Sequence, residues 1–137
     1  MPERFPFDYA VIRVVPQVDR EEFINAGVIV SCPALQFLRA RVELDPRRLS
    51  AFAPALDPEQ VDRHLGAILI TCEGGPEAGP IGRLSQRARF HWLVAPRSTI
   101  IQTSPVHSGL CADPEAALEC LLDRMVRVGG KTFPEEP

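Results

Sequence analysis

The sequence predicts an α+β fold, with a mainly antiparallel sheet of about four strands and helices packed on one face. Two observations predict it. Three strand-like segments come first, and three Asp-Pro pairs then mark helix starts, with a further strand returning between the second and third of those helices.

Tyr9 to Val15, YAVIRVV, is rich in β-branched residues and is stopped by Pro16, as a strand would be. Gly27 to Cys32, GVIVSC, is apolar on both faces, which suits a strand near the middle of a sheet. Phe37 to Leu44 alternates, with Leu38, Ala40, Val42 and Leu44 on one face, expected to meet the core, and Phe37, Arg39, Arg41 and Glu43 on the other, expected to be largely wet. At Asp45-Pro46, Asp57-Pro58 and Asp113-Pro114 a capping carboxylate precedes the proline favoured in a helix's first turn. After the second pair, Asp57 and Gln60 resemble a capping box, and Val61, Leu65, Ile68, Leu69 and Cys72 form an apolar stripe ended by Gly74-Gly75. After the third, Leu118, Leu121, Leu122 and Met125 form a similar stripe. Ser85 to Leu93 fits a helix capped by Ser85, while Phe90, Trp92 and Val94 also alternate as a strand would. Ser98 to Thr103 reads as a strand, and a candidate edge for a homodimer. One domain over residues 1–128 with a frayed tail over 129–137 is expected.

The formal net charge of −3 disfavours a general nucleic-acid binder, which needs a cationic excess for phosphate contacts. The N-terminus lacks the basic start and unbroken apolar run of a signal peptide, and no stretch approaches the ~20 apolar residues of a membrane span. A soluble, cytoplasmic protein is expected, without membrane contact or cofactor. Cys32, Cys72, Cys111 and Cys120 form no CxxC pair, so reduced thiols are expected, with Cys32, Cys72 and Cys120 as small core residues. No metal site is expected; the weak alternative is zinc held by His107, Cys111 and two distant cysteines.

Chemistry-bearing residues concentrate between Arg89 and Gly109. Arg97, Ser98 and Thr99 put a guanidinium beside two hydroxyls at a strand start, where an anion such as phosphate or carboxylate would bind, with Gln102 close by. His107, in the turn-rich Ser104 to Gly109 segment, is the best general acid or base, with Ser104 or Ser108 as nucleophile or hydrogen-bonding partner; the competing reading is a histidine bonded to loop backbone. Arg83, Arg87 and Arg89 read either as a phosphate-binding segment or as a solvated face. Glu22 would make an acid/base pair if the fold brought it to Arg97 or His107. Asn25, Gly27 and Gly109 are assigned to turns, with Gly27 also allowing close strand approach. Trp92 is assigned to the core rather than to base stacking.

The segments YAVIRVVP (9–16), EFINAGVIV (22–30) and RFHWLVAPRSTIIQTSPVHSGL (89–110) resemble a bacterial family known as domain of unknown function 3037. The resemblance covers nearly the whole chain and implies a small intracellular protein with no established reaction. It also implies genes commonly placed beside a HipA-like kinase, hence an accessory role with that kinase as partner. Three functions follow as expectations: a binding or accessory module acting through Arg97, Thr99, Gln102 and His107; a small phosphate-ester hydrolase or transferase with His107 as acid/base and Arg97 as anion clamp; and a nucleic-acid factor using Arg83, Arg87 and Arg89.

Overall fold

Strands β1 (Phe5–Val14), β2 (Ile24–Cys32) and β3 (Phe37–Val42) form an antiparallel meander, in which both faces of the middle chain segment are apolar. The computed structural model describes residues 3–127, so the expected tail over 129–137 lies outside the described residues. Helices α1 (Pro46–Phe52), α2 (Pro58–Glu73) and α3 (Gln86–Leu93) follow, then the short strands β4 (Ile101–Thr103) and β5 (His107–Cys111), and finally α4 (Pro114–Met125). Both short strands pair antiparallel with β1, so the order across the sheet is β3, β2, β1 and then β4 and β5 end to end.

The junction between β4 and β5 is made by a side chain. Ser104 N–H donates to Val11 O at 2.8 Å. The return bond from Val11 N–H goes to Ser104 Oγ at 2.9 Å, where a continuing strand would offer its own carbonyl. Ser104 is buried and its hydroxyl donates to Pro105 O. It holds the broken strand in register, which uses up the hydroxyl considered above as a nucleophile.

Each Asp-Pro pair caps its helix. Asp45, Asp57 and Asp113 accept from the backbone N–H of Arg47, Glu59 and Glu115 at 2.9, 3.0 and 3.0 Å, which satisfies one orphan donor at each start. The segment 86–93 resolves as helix because Ser85 Oγ accepts from Ala88 N–H and Phe90 and Leu93 face the core. The strand expected over 98–103 contracts to Ile101–Thr103.

The helices occupy both faces of the sheet, which corrects the one-face arrangement. Ile12, Val14 and Ile29 pack with Val61, Leu65 and Phe90 of α2 and α3. Val28, Val30 and Cys32 pack on the other side with Leu118, Leu121 and Leu122 of α4. The physical reason is β2 itself: a strand apolar on both faces needs cover on both. Arg39 and Arg41, expected on the wet face of β3, reach Glu115 and Glu119 of α4. Cys120 is exposed, another correction, because it lies about 200° around α4 from Leu118 and so points away from the buried stripe. No helix among the described residues is long and apolar enough to cross a membrane.

A bulge in the β1–β2 register sets one further feature. Ile12 is opposite Gly27 and Arg13 opposite Asn25, leaving Ala26 as the extra residue. The inserted residue reverses which face the following side chains take. Ile24 and Ala26 therefore join the α2 face, although Val28 and Val30 share their numerical parity and face α4.

Candidate functional site

The arginine segment comes apart when its side chains are traced. Arg89 is only 7% exposed; its Nε donates to Thr71 O at 2.9 Å, and its Nη atoms donate to Leu84 O at 2.6 Å and Cys72 O at 3.2 Å. It thus satisfies carbonyls at the end of α2, where the helix runs out of N–H donors. Gly74 makes room for it, since a Cβ there would meet the guanidinium carbon at 2.9 Å and the backbone has φ +76°. Arg87 pairs with Asp8 at 2.5 Å and donates to Ser31 Oγ at 3.0 Å. Two of the three arginines are thus engaged in holding α3 in place.

Asp8 is the centre of a polar row across the sheet, opposite Ser31 of β2 and Ser108 of β5. Ser108 Oγ donates to Asp8 Oδ1 at 2.6 Å. Burial alone would raise the Asp8 carboxyl, but the Ser108 hydroxyl and the Arg87 guanidinium together hold it below the ordinary range. A carboxylate so stabilised is a weak base toward Ser108. The row reads as the anchor of α3 on the sheet.

His107 begins β5 opposite Tyr9, with the two rings 5.4 Å apart, and belongs to the α4 side of the sheet with Phe7 and Tyr9. Glu22 is bonded to Arg20 at 2.9 Å on the surface. Neither shares a site with Arg97. The pairings of Arg97 with His107 and of Glu22 with either are therefore not formed.

Arg97, Thr99 and Gln102 do come together, in a cleft of about 250 Å³ between α2, α3 and β4. Its lining is mainly apolar, made by Ala67 and Ile68 of α2, Leu93 of α3 and Ile101 of β4 with the buried Thr71 of α2 beside them, and the exposed His64 and Trp92 also line it. Trp92 is 43% exposed rather than core, a correction that follows from Phe90 and Leu93 taking the inner face of the short α3. Arg97 lies over its indole at 4.4 Å and donates to Leu93 O at 3.0 Å and Trp92 O at 2.6 Å, covering the last carbonyls of α3. The Thr99 hydroxyl donates to Ile101 O, and Gln102 Nε2 to Thr99 O. These bonds shape the loop, and among the described residues Arg97 pairs with no carboxylate. Ser98 precedes Thr99 in the loop and is not among the residues that line the cleft.

The residues assigned to turns lie in strands. Asn25 is inside β2, turned toward α4 by the bulge, and its Nδ2 donates to Met125 O at 2.9 Å. It caps the far helix instead of its own loop. Gly27 faces the carbonyl of Arg41, where a Cβ would sit 2.4 Å away. Gly109 is in β5 opposite Phe7, whose ring would lie 3.0 Å from an added Cβ. Among the described residues no three His, Cys, Asp or Glu side chains gather as a metal would require.

The family model described as protein of unknown function DUF3037 matches residues 9–126, most of the chain. The chain belongs to the DUF3037 family. No curated protein and no solved structure has a significant match to it. What distinguishes a site on this DUF3037 chain is thus its geometry alone. The cleft was half visible in the sequence through Arg97, Thr99 and Gln102. Its other wall, His64, Ala67 and Ile68, is brought in by a long-range contact that no local pattern signals.

Proposed function

We propose that this DUF3037 chain is a cytoplasmic binding or accessory module, a single domain over residues 1–128 that recognises a partner protein through the cleft between α2, α3 and β4. The observation that carries this reading is the cleft's build: an apolar floor beside an exposed tryptophan and a cation that, among the described residues, pairs with no carboxylate. Exposed Trp and Arg beside an apolar pocket are the usual ingredients of a binding hot spot. At about 250 Å³ the space falls below the ~300–1,000 Å³ typical of small-molecule sites and suits one large side chain. A phosphate-ester hydrolase would need His107 and Arg97 on one ligand, whereas His107 packs on Tyr9 away from the cleft lining.

A HipA-like kinase is the partner to try first. The test is calorimetric titration of that kinase with the chain and with two variants. Ile68→Arg, which fills the cleft floor with a charge, is expected to weaken binding about tenfold or more, while His107→Ala stays near the wild-type affinity. Loss of binding in His107→Ala with Ile68→Arg unaffected would move recognition to the other side of the sheet and overturn the reading.

A further inference from the structure

Ile101, Gln102 and Thr103 are consecutive residues of β4, and all three line the cleft. Side chains alternate along a strand, so a cleft lying against one face would meet every second residue. Three in succession place it along the backbone edge as well. The hydrogen bonds agree. Val15 N–H donates to Ile100 O and Ser104 N–H to Val11 O, so residues 100, 102 and 104 turn their backbone groups toward β1. Those of Ile101 and Thr103 then point outward. Among the described residues no strand pairs with β4 on that side. The Thr99 hydroxyl covers Ile101 O at 2.7 Å, and β4 carries none of the charges that commonly blunt an open edge.

We propose, resting on the cleft reading above, that β4 binds an extended segment of a partner protein by strand addition. The segment's large apolar side chain sits over Ile68 and Leu93, and an acidic residue beside it meets Arg97. The charge argument selects this occupant. No carboxylate lines the cleft among the described residues, and Arg97 has no carboxylate partner there. The paired strand of a second copy joined through the same edge would offer none, because residues 98–112 contain neither Asp nor Glu. Main-chain bonds to Ile101 and Thr103 would supply affinity, and the apolar anchor with its acidic neighbour would supply specificity.

The test selects binders from a displayed library of random linear peptides on the full chain, then titrates the selected peptides in solution. Selected sequences are expected to place Asp or Glu beside a large apolar residue. N-methylation of their backbone is expected to weaken binding at alternate positions only. Arg97→Gln should weaken binding about tenfold, and the effect should vanish for the Asn or Gln analogue of the peptide's acid. Thr103→Pro, which removes an outward N–H and is tolerated at an edge, should abolish binding while the thermal unfolding midpoint stays near wild type. A library without binders, binders whose N-methyl scan lacks the two-residue period, or an Arg97→Gln affinity equal to wild type would overturn the proposal. Ile68→Arg separates the two ideas. If it abolishes binding while Thr103→Pro does not, the cleft stands and strand addition falls. If it has no effect, both fall.

Discussion

Replacing Arg89 with methionine removes a guanidinium that serves three carbonyls at the junction of α2, α3 and the loop between them. The bonds to Thr71 O and Cys72 O are buried, and both residues are themselves buried. Hydrogen bonds to a charged group contribute about 1.5–3 kcal/mol each, and buried carbonyls left without donors incur a desolvation penalty. Allowing water to reach the part-buried Leu84 O, the expected loss is about 3–4 kcal/mol. That is a large share of a stability of ~5–15 kcal/mol. The assay is urea unfolding followed by tryptophan fluorescence, with Trp92 as the sole indole. With a slope of about 1–3 kcal/mol per molar, the midpoint should fall by at least about 1 M. Arg89→Lys should recover only part of this, because one ammonium cannot spread its donors over three carbonyls as a planar fork does. A methionine variant within about 0.3 M of wild type, on the same slope scale, would refute the capping role.

Four further outcomes follow from the same geometry. Glu43 and Glu119 are held below the ordinary carboxylate range chiefly by hydrogen bonds from Arg127, so their stabilisation is present above the unfolded values near 4.5 and is lost as pH falls through the folded ones. The thermal midpoint should drop on acidification from neutral pH toward 3, a span set by ordinary carboxylate values of about 4, and Arg127→Ala should flatten that drop; parallel curves would contradict it. Gly27→Ala forces a methyl 2.4 Å from Arg41 O and should cost about 2–3 kcal/mol in chemical unfolding, by spreading β2 from β3. Asn25→Ala removes the donor to Met125 O, so amides in the last turn of α4 should exchange faster, with a loss of about 1 kcal/mol. Under native conditions iodoacetamide should label Cys120 first, read by peptide mass spectrometry, since the other three cysteines are buried and burial pushes the Cys72 thiol up to about 12.

The elements were legible where one residue type has one local use. Asp before Pro marks a helix start because the carboxylate caps and the ring pre-sets the first turn, and all three such pairs do so. Asn25-Ala26-Gly27 misled because turns and bulges draw on the same permissive residues; only the pairing with β1 shows that the chain continues as a strand. Arg89 and Arg83 look alike in sequence, and burial among carbonyls is decided by where α2 ends. The cluster of Arg97, Thr99 and Gln102 was visible because it is local. His107 was not separable from it, because Ser104 and Pro105 break the strand between them and the pairing with Tyr9 is made across the sheet. The apolar run of β2 needs cover on both faces, which the one-face expectation overlooked, and which helix covers which face depends on chain connections that periodicity does not encode.

The cleft as recognition site is tested most directly by amide and indole chemical-shift mapping of the isotope-labelled chain titrated with a selected peptide. The account predicts that the largest changes fall on the Trp92 indole, on Ala67 and Ile68 of α2, and on Ile101 to Thr103. Changes centred instead on Tyr9, His107 and Gly109, with the Trp92 indole unmoved, would contradict it.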